Sequence, residues 1–219
     1  MAAPTLRSRL CGYGVSALAL ATLAWLALSG ENTCRPPCAA PDTTPPAPPA
    51  APVVPSVATS FESIENHTTY QLRVELGEGL ANLNTIYGST HSPLSMPPSY
   101  QVMTPFGVNY GGINPALWTV YSKSQYDSWL TVGITTGNSG GRLIDYGVDF
   151  DTWTADTPLY VNNGNVSWLY PADAPAGVVV VAQITVPTGT EFTATMGVSG
   201  RTDNGAYWNV DNVNFHVHS

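Results

Sequence analysis

Charge is what this chain lacks most: only 10% of its 219 residues are Asp, Glu, Lys or Arg, against roughly 25% in an average soluble domain. Basic residues are the scarcest, 7 Lys and Arg against 15 Asp and Glu, for a formal net charge of -8. Binding a phosphate backbone needs a clustered basic footprint, so the balance argues against nucleic acid as a partner. No stretch sustains a 3.6-residue apolar period, which removes long amphipathic helices. Cysteine occurs at Cys11, Cys34 and Cys38 and nowhere later, so no disulfide framework holds the bulk of the chain. Neither a phosphate loop nor a His-Glu-x-x-His helix is present. What is abundant is 20 Gly and 19 Pro, the composition of a chain with many turns and short strands.

Residues 1–9 carry Arg7 and Arg9 and no acid, and residues 10–28 then run without a charge. A basic end followed by an apolar segment is a targeting signal, and Ala27 and Ser29 put small residues where a signal peptidase reads. The pattern predicts a signal peptide over residues 1–29, cleaved before Gly30. The rival is an uncleaved signal anchor, because the apolar run approaches the roughly 20 residues that span a bilayer. Either way Arg7 and Arg9 stay on the cytoplasmic side and the remainder is exported. The expected location is extracellular or at the cell surface, by the secretory pathway, with membrane contact only through this segment if it is retained.

Residues 36–55 hold nine prolines and five alanines, a composition that forms no packed core and favours polyproline II. A stalk over residues 30–58 is expected, rising about 3.1 Å per residue. Cys34 and Cys38 are expected to form a disulfide, either closing a local loop or cross-linking two stalks; a zinc site needs two more ligands that are not nearby. Asn66-His67-Thr68 and Asn165-Val166-Ser167 are N-glycosylation sequons, meaningful in an exported chain.

From residue 59 to residue 219 the dominant signal is two-residue alternation. Tyr70, Leu72, Val74 and Leu76 face one way; so do Leu130, Val132 and Ile134, and again Ile144, Tyr146, Val148 and Phe150. Phe192, Ala194, Met196 and Val198 repeat the pattern, as do Val213, Phe215 and Val217. Residues 177–186 are apolar on both sides at first, which describes a central strand. Turn signals at 137–141, 162–165, 187–189 and 203–205 predict hairpins. The expected fold is all-β: an antiparallel two-sheet sandwich, jelly-roll-like, following the hydrophobic helix and the stalk. The proline-punctuated segment 88–112 is expected to be an irregular surface excursion.

The closing run Trp208, Asn209, Val210, Asp211, Asn212, Val213, Asn214 and Phe215 resembles the last strand of jelly-roll carbohydrate-binding modules. A wider set of segments, including Leu83-Asn-Thr-Ile-Tyr-Gly88, Met96-Pro-Pro-Ser-Tyr-Gln101 and Asp127-Ser-Trp-Leu-Thr-Val-Gly133, is similar to uncharacterised exported proteins of microalgae and marine bacteria. The first likeness implies a glycan-binding sandwich, and by position it implies Asp211 as one ligand of a structural calcium. The second implies no activity.

By alternation Trp129 and Trp208 fall opposite the apolar face. Flat rings stack on sugar faces, and Asn212, Asn214 and His216 on the same strand face would bond hydroxyls, which makes these five residues a candidate glycan platform. The competing reading places the rings over sheet edges or beneath the excursion. His216 and His218 begin a metal site that lacks a third ligand. Asp145, Asp149 and Asp151 share a face, with Asp156 beyond. Asp149, Asp151 and Asp156, with Asp211, are the candidate calcium ligands if the chain bends. No other cofactor is expected, and no carboxylate stands out as a glycosidase proton donor. The sequence therefore predicts an exported, non-enzymatic recognition or adhesion module that binds glycan or extracellular matrix. The alternatives are a structural wall, scale or matrix protein and a secreted polysaccharide hydrolase.

Overall fold

The computed structural model describes residues 52–61, 64–138 and 140–218. The targeting segment at 1–29, the pairing of Cys34 and Cys38, and the stalk as far as residue 51 lie outside the described residues. Within them run β1 (Val53–Phe61), β2 (His67–Leu76), β3 (Leu80–Gly88), β4 (Leu94–Met96), β5 (Trp129–Leu130), β6 (Leu143–Tyr146), β7 (Leu159–Val161), β8 (Gly164–Trp168), β9 (Val178–Pro187), β10 (Phe192–Thr202) and β11 (Tyr207–Val217). They build two antiparallel sheets, the all-β arrangement the alternation predicts. The four-stranded sheet has the order β1-β2-β9-β5. The seven-stranded sheet runs β6-β8-β3-β10 and on through β4 to β7, while β11 pairs with β10. The helical elements among the described residues are short 3-10 turns, such as Pro115–Thr119 and Ser122–Tyr126, and none is long and apolar enough to cross a membrane.

Alternation places the core. Leu72 and Val74 of β2 and Ala182 and Ile184 of β9 join Leu83 and Ile86 of β3, Met196 and Val198 of β10, and Phe215 of β11 in one buried cluster. Each of these side chains larger than alanine contributes about 1.5–3 kcal/mol when taken out of water, before the entropy of ordering the chain is set against it. β9 lies between β2 and β5, and its residues 181–186 are all buried, as its apolar run predicts.

Three expectations need correction. The sandwich starts upstream of residue 59: β1 begins at Val53, which is 4% exposed and pairs with Leu76. Prolines at 52 and 55 masked it, yet proline is tolerated on an edge strand, and β1 is one. The face of β6 is inverted, with Leu143 buried and Ile144 and Tyr146 43% and 69% exposed. Its register with β8, Leu143 opposite Trp168 and Ile144 opposite Ser167, decides the face, and a one-residue slip moves every side chain across. Of the four turn signals, only 203–205 closes a hairpin, between β10 and β11. The chain between β5 and β6 and the turn at 187–189 lead from one sheet to the other, and 162–165 joins β7 and β8, which pair with different strands. Turn residues specify a reversal, not which strand receives the next one.

Candidate functional site

The closing strand does not carry the expected platform. Its pairing with β10 slips between Met196 and Val198, where Asn212 takes a left-handed φ of 53°. This bulge adds one residue to β11 and swaps the faces on either side of it. Trp208 therefore shares the inner face with Val210, half-buried, and donates its indole N–H to the carbonyls of Arg201 (3.0 Å) and Asn82 (3.2 Å). Its ring lies over Gly200, where a Cβ would come within 2.9 Å of it.

Asn214 and His216 stay on the outer face, engaged with Thr195 and Thr193 at 2.8 and 3.0 Å. The backbone N–H of Asn212 donates to Ser92 Oγ at 2.8 Å. Trp129, 2% exposed, is elsewhere altogether. The five candidate residues do not form one surface.

The acidic candidates do not converge either. Among the described residues, no three His, Cys, Asp or Glu side chains approach a common point. Asp149 and Asp151 are exposed around a 3-10 turn, and Asp156 lies in a turn closed by Thr154 Oγ1. Asp211 instead accepts the Tyr87 hydroxyl at 2.6 Å. That ring crosses β10 above Gly197, where a Cβ would lie 2.3 Å from it. Burial, and then the Asp211 carboxylate, push the Tyr87 hydroxyl up to about 12. His216 and His218 stack at 6.2 Å. The sequons differ: Asn66 is exposed in the β1–β2 turn, while Asn165 is half-buried on β8 between β3 and β6 and accepts the Ser167 hydroxyl. Residues 137–141 read Gly-Asn-Ser-Gly-Gly, the spacing of a nucleophile elbow. They lead into a strand, not the helix such an elbow requires, and Ser139 lies outside the described residues.

What the structure does assemble is a covered patch on the outside of the four-stranded sheet. Gln71, Gln183 and Trp129 form one cross-strand row over β2, β9 and β5. Their neighbours Leu72, Ala182 and Leu130 point into the core, all at 0% exposure. The row faces outward, yet the segment between β4 and β5, residues 97–128, which carries the excursion expected at 88–112 further along the chain, folds back over it. Asn114 caps the first 3-10 turn by accepting the Ala116 N–H, with Pro115 at the first helical position, and so sets Trp118. The result is a cavity of about 120 Å³ lined by Gln71, Gln183, Trp129, Trp118, Gln125 and Thr136.

Two polar side chains hold the cover in place. Gln183 Nε2 donates to the carbonyls of Gln125 (3.0 Å) and Asp127 (2.8 Å). Asp127, fully buried, accepts the backbone N–H of Val102 on one oxygen and of Val108 on the other, both at 2.7 Å. Burial pushes its carboxyl up to about 7, against the pull of the Val108, Val102 and Ser128 amides. The sequence held one pointer to this region, a glutamine inside the apolar run of β9. A buried amide needs partners, so Gln183 implied polar groups packed on the outer face of a central strand. Nothing local named Asp127 or Trp118.

Comparison with known proteins finds no matching family model, no matching curated protein and no matching solved structure. The likeness of the closing strand to carbohydrate-binding modules thus stands on those eight residues alone.

Proposed function

We propose that the protein is an exported recognition or adhesion module that binds glycan, and that its site is the cavity under the excursion. The observation that carries this reading is the lining itself: two tryptophans with glutamine and threonine side chains, and no ionisable group. Indole faces suit the apolar face of a pyranose, and amides and hydroxyls match its hydroxyls. About 120 Å³ corresponds to about four waters at roughly 30 Å³ each, less than a whole pyranose ring with its hydroxyls, so the cavity takes one edge of a terminal sugar and not the length of a chain. Export rests on the charge pattern of residues 1–29, and terminal sequencing of the exported protein, with Gly30 first, tests it.

A glycan array probed with the full chain tests the ligand, followed by Gln125→Ala and Thr136→Ala. Each variant removes one hydrogen-bonding group, and a loss of roughly five- to tenfold in affinity is expected at about 1–1.4 kcal/mol per bond. Unchanged affinity in both variants removes the cavity as the site. A wall or matrix component is the second reading, favoured by exposed Met103 and Val120 on the excursion. Recovery of the protein in an insoluble extracellular fraction, with no hit on the array, decides for it. A secreted polysaccharide hydrolase, the remaining alternative, would release reducing ends from a bound polymer.

A further inference from the structure

A second concavity lies on the excursion, away from the glutamine row. It is a groove of about 380 Å³ whose walls include Tyr100, Gln101, Met103, Pro105, Phe106 and Tyr121. The Phe106 and Tyr121 rings stand 5.2 Å apart at 32°. Met103 is 87% exposed and Val120 70%, so an apolar surface is held out to solvent. A monomer keeps such surface where something docks on it. Its shape is fixed from below, because the Asp127 carboxylate holds the amides of Val102 and Val108 on either side of Pro105. The Gln101 side-chain N–H is buried beneath this surface without a hydrogen-bond partner.

Aromatic side chains inclined at 32° beside an exposed methionine fit a polyproline II strand. That conformation presents proline rings every third residue and leaves its carbonyls free of internal hydrogen bonds. The chain itself supplies such a ligand: residues 45–49 read Pro-Pro-Ala-Pro-Pro, with prolines three apart at 45 and 48 and again at 46 and 49. Residues 39–51 carry one charge, Asp42, matching a groove with no charged wall. The proline-rich run 36–52 precedes β1, and at about 3.1 Å per residue in polyproline II it spans roughly 50 Å, long enough to reach another molecule.

We propose that this groove binds the proline-rich segment of a second copy, so that neighbouring molecules link stalk to sandwich. The inference does not depend on the glycan reading, since the groove and the cavity have different linings.

The test uses the full chain and a synthetic peptide of residues 41–52. Intrinsic fluorescence is expected to report saturable binding, weakened at least tenfold by Tyr121→Ala and by Met103→Ser. The melting curve of the Met103 variant should be unchanged, because that side chain is exposed. Replacing Pro46 and Pro48 of the peptide by Ala is expected to weaken binding likewise. Sedimentation should show concentration-dependent self-association that the free peptide suppresses. Peptide binding by a chain that stays monomeric at every concentration overturns the second-copy proposal. Absence of peptide binding, equal binding of the alanine peptide, or partition of the groove residues into phosphatidylcholine vesicles instead overturns it as well.

Discussion

The outer faces of the two sheets obey the same alternation and end in opposite environments. On the seven-stranded sheet, Thr193, Asn214 and His216 are exposed and make short cross-strand bonds. On the four-stranded sheet, Gln183 and Trp129 at 3% and 2% exposure are as buried as much of the core. Alternation says which side of a strand a residue occupies. It does not say whether that side meets water, because a cover arrives from far along the chain. Here the cover is the excursion, held by one buried glutamine and one buried aspartate. The difference between the faces can be attacked by mutation.

The largest effect is expected at Trp129. Truncation to Ala opens space on the covered face and should cost about 3–5 kcal/mol, the range for a buried aromatic. Urea melting measures it, and a loss under about 1 kcal/mol means the cover is loose enough to be displaced. Next is Asp127. Its carboxyl titrates near 7 in the folded protein and near 4 in the unfolded chain. Between those values the folded state holds a proton the unfolded state has lost. Stability is thus fully present below about pH 4, falls as pH rises toward 7, and is level beyond. Asp127→Asn should abolish that slope and cost about 1–3 kcal/mol, because the new NH₂ opposes a backbone N–H. Melting temperatures at several pH values check both.

Trp208 sharpens the comparison from the other side, since it was placed on the open face and lies on the inner one. Half-buried and bonded to two carbonyls, it should cost about 2 kcal/mol on truncation, less than Trp129. Glycan affinity at the cavity should not change. A strong loss of glycan binding without loss of stability restores the closing strand as the site.

The strands β2, β9, β10 and β11 were legible, while β1, β3, β4, β7 and β8 were not read as strands. Leu72 with Val74, Ala194 with Met196, and Val213 with Phe215 face the core as their spacing predicts, because period two is a local property of extended chain. Residues that depend on distant partners were not. The bulge in β11 puts the Asn212 N–H on Ser92, which lies 120 positions away, and no pattern within residues 208–217 encodes it. Ile144 looks inward by alternation, but its register comes from β8. The candidate cavity was barely legible: Trp129 was singled out, for exposure it does not have, while Gln183, polar within an apolar strand, was passed over.

The smallest effect is expected on the open face, at Asn214. Its Oδ1 accepts the Thr195 hydroxyl at 2.8 Å and its Nδ2 donates to the Asn212 carbonyl at 3.0 Å. Both partners are reached by water when the side chain is removed, so no buried polar group is left unpaired. Asn214→Ala should therefore change stability by less than about 0.5 kcal/mol, as surface substitutions away from caps and cores do. The same truncation on the covered face, Gln183→Ala, strips the Gln125 and Asp127 carbonyls of a buried donor and should cost several times more. Parallel urea melts of the two variants give the ratio. A cost at Asn214 equal to that at Gln183 means that the seven-stranded sheet is also covered in solution, and the contrast between the faces disappears.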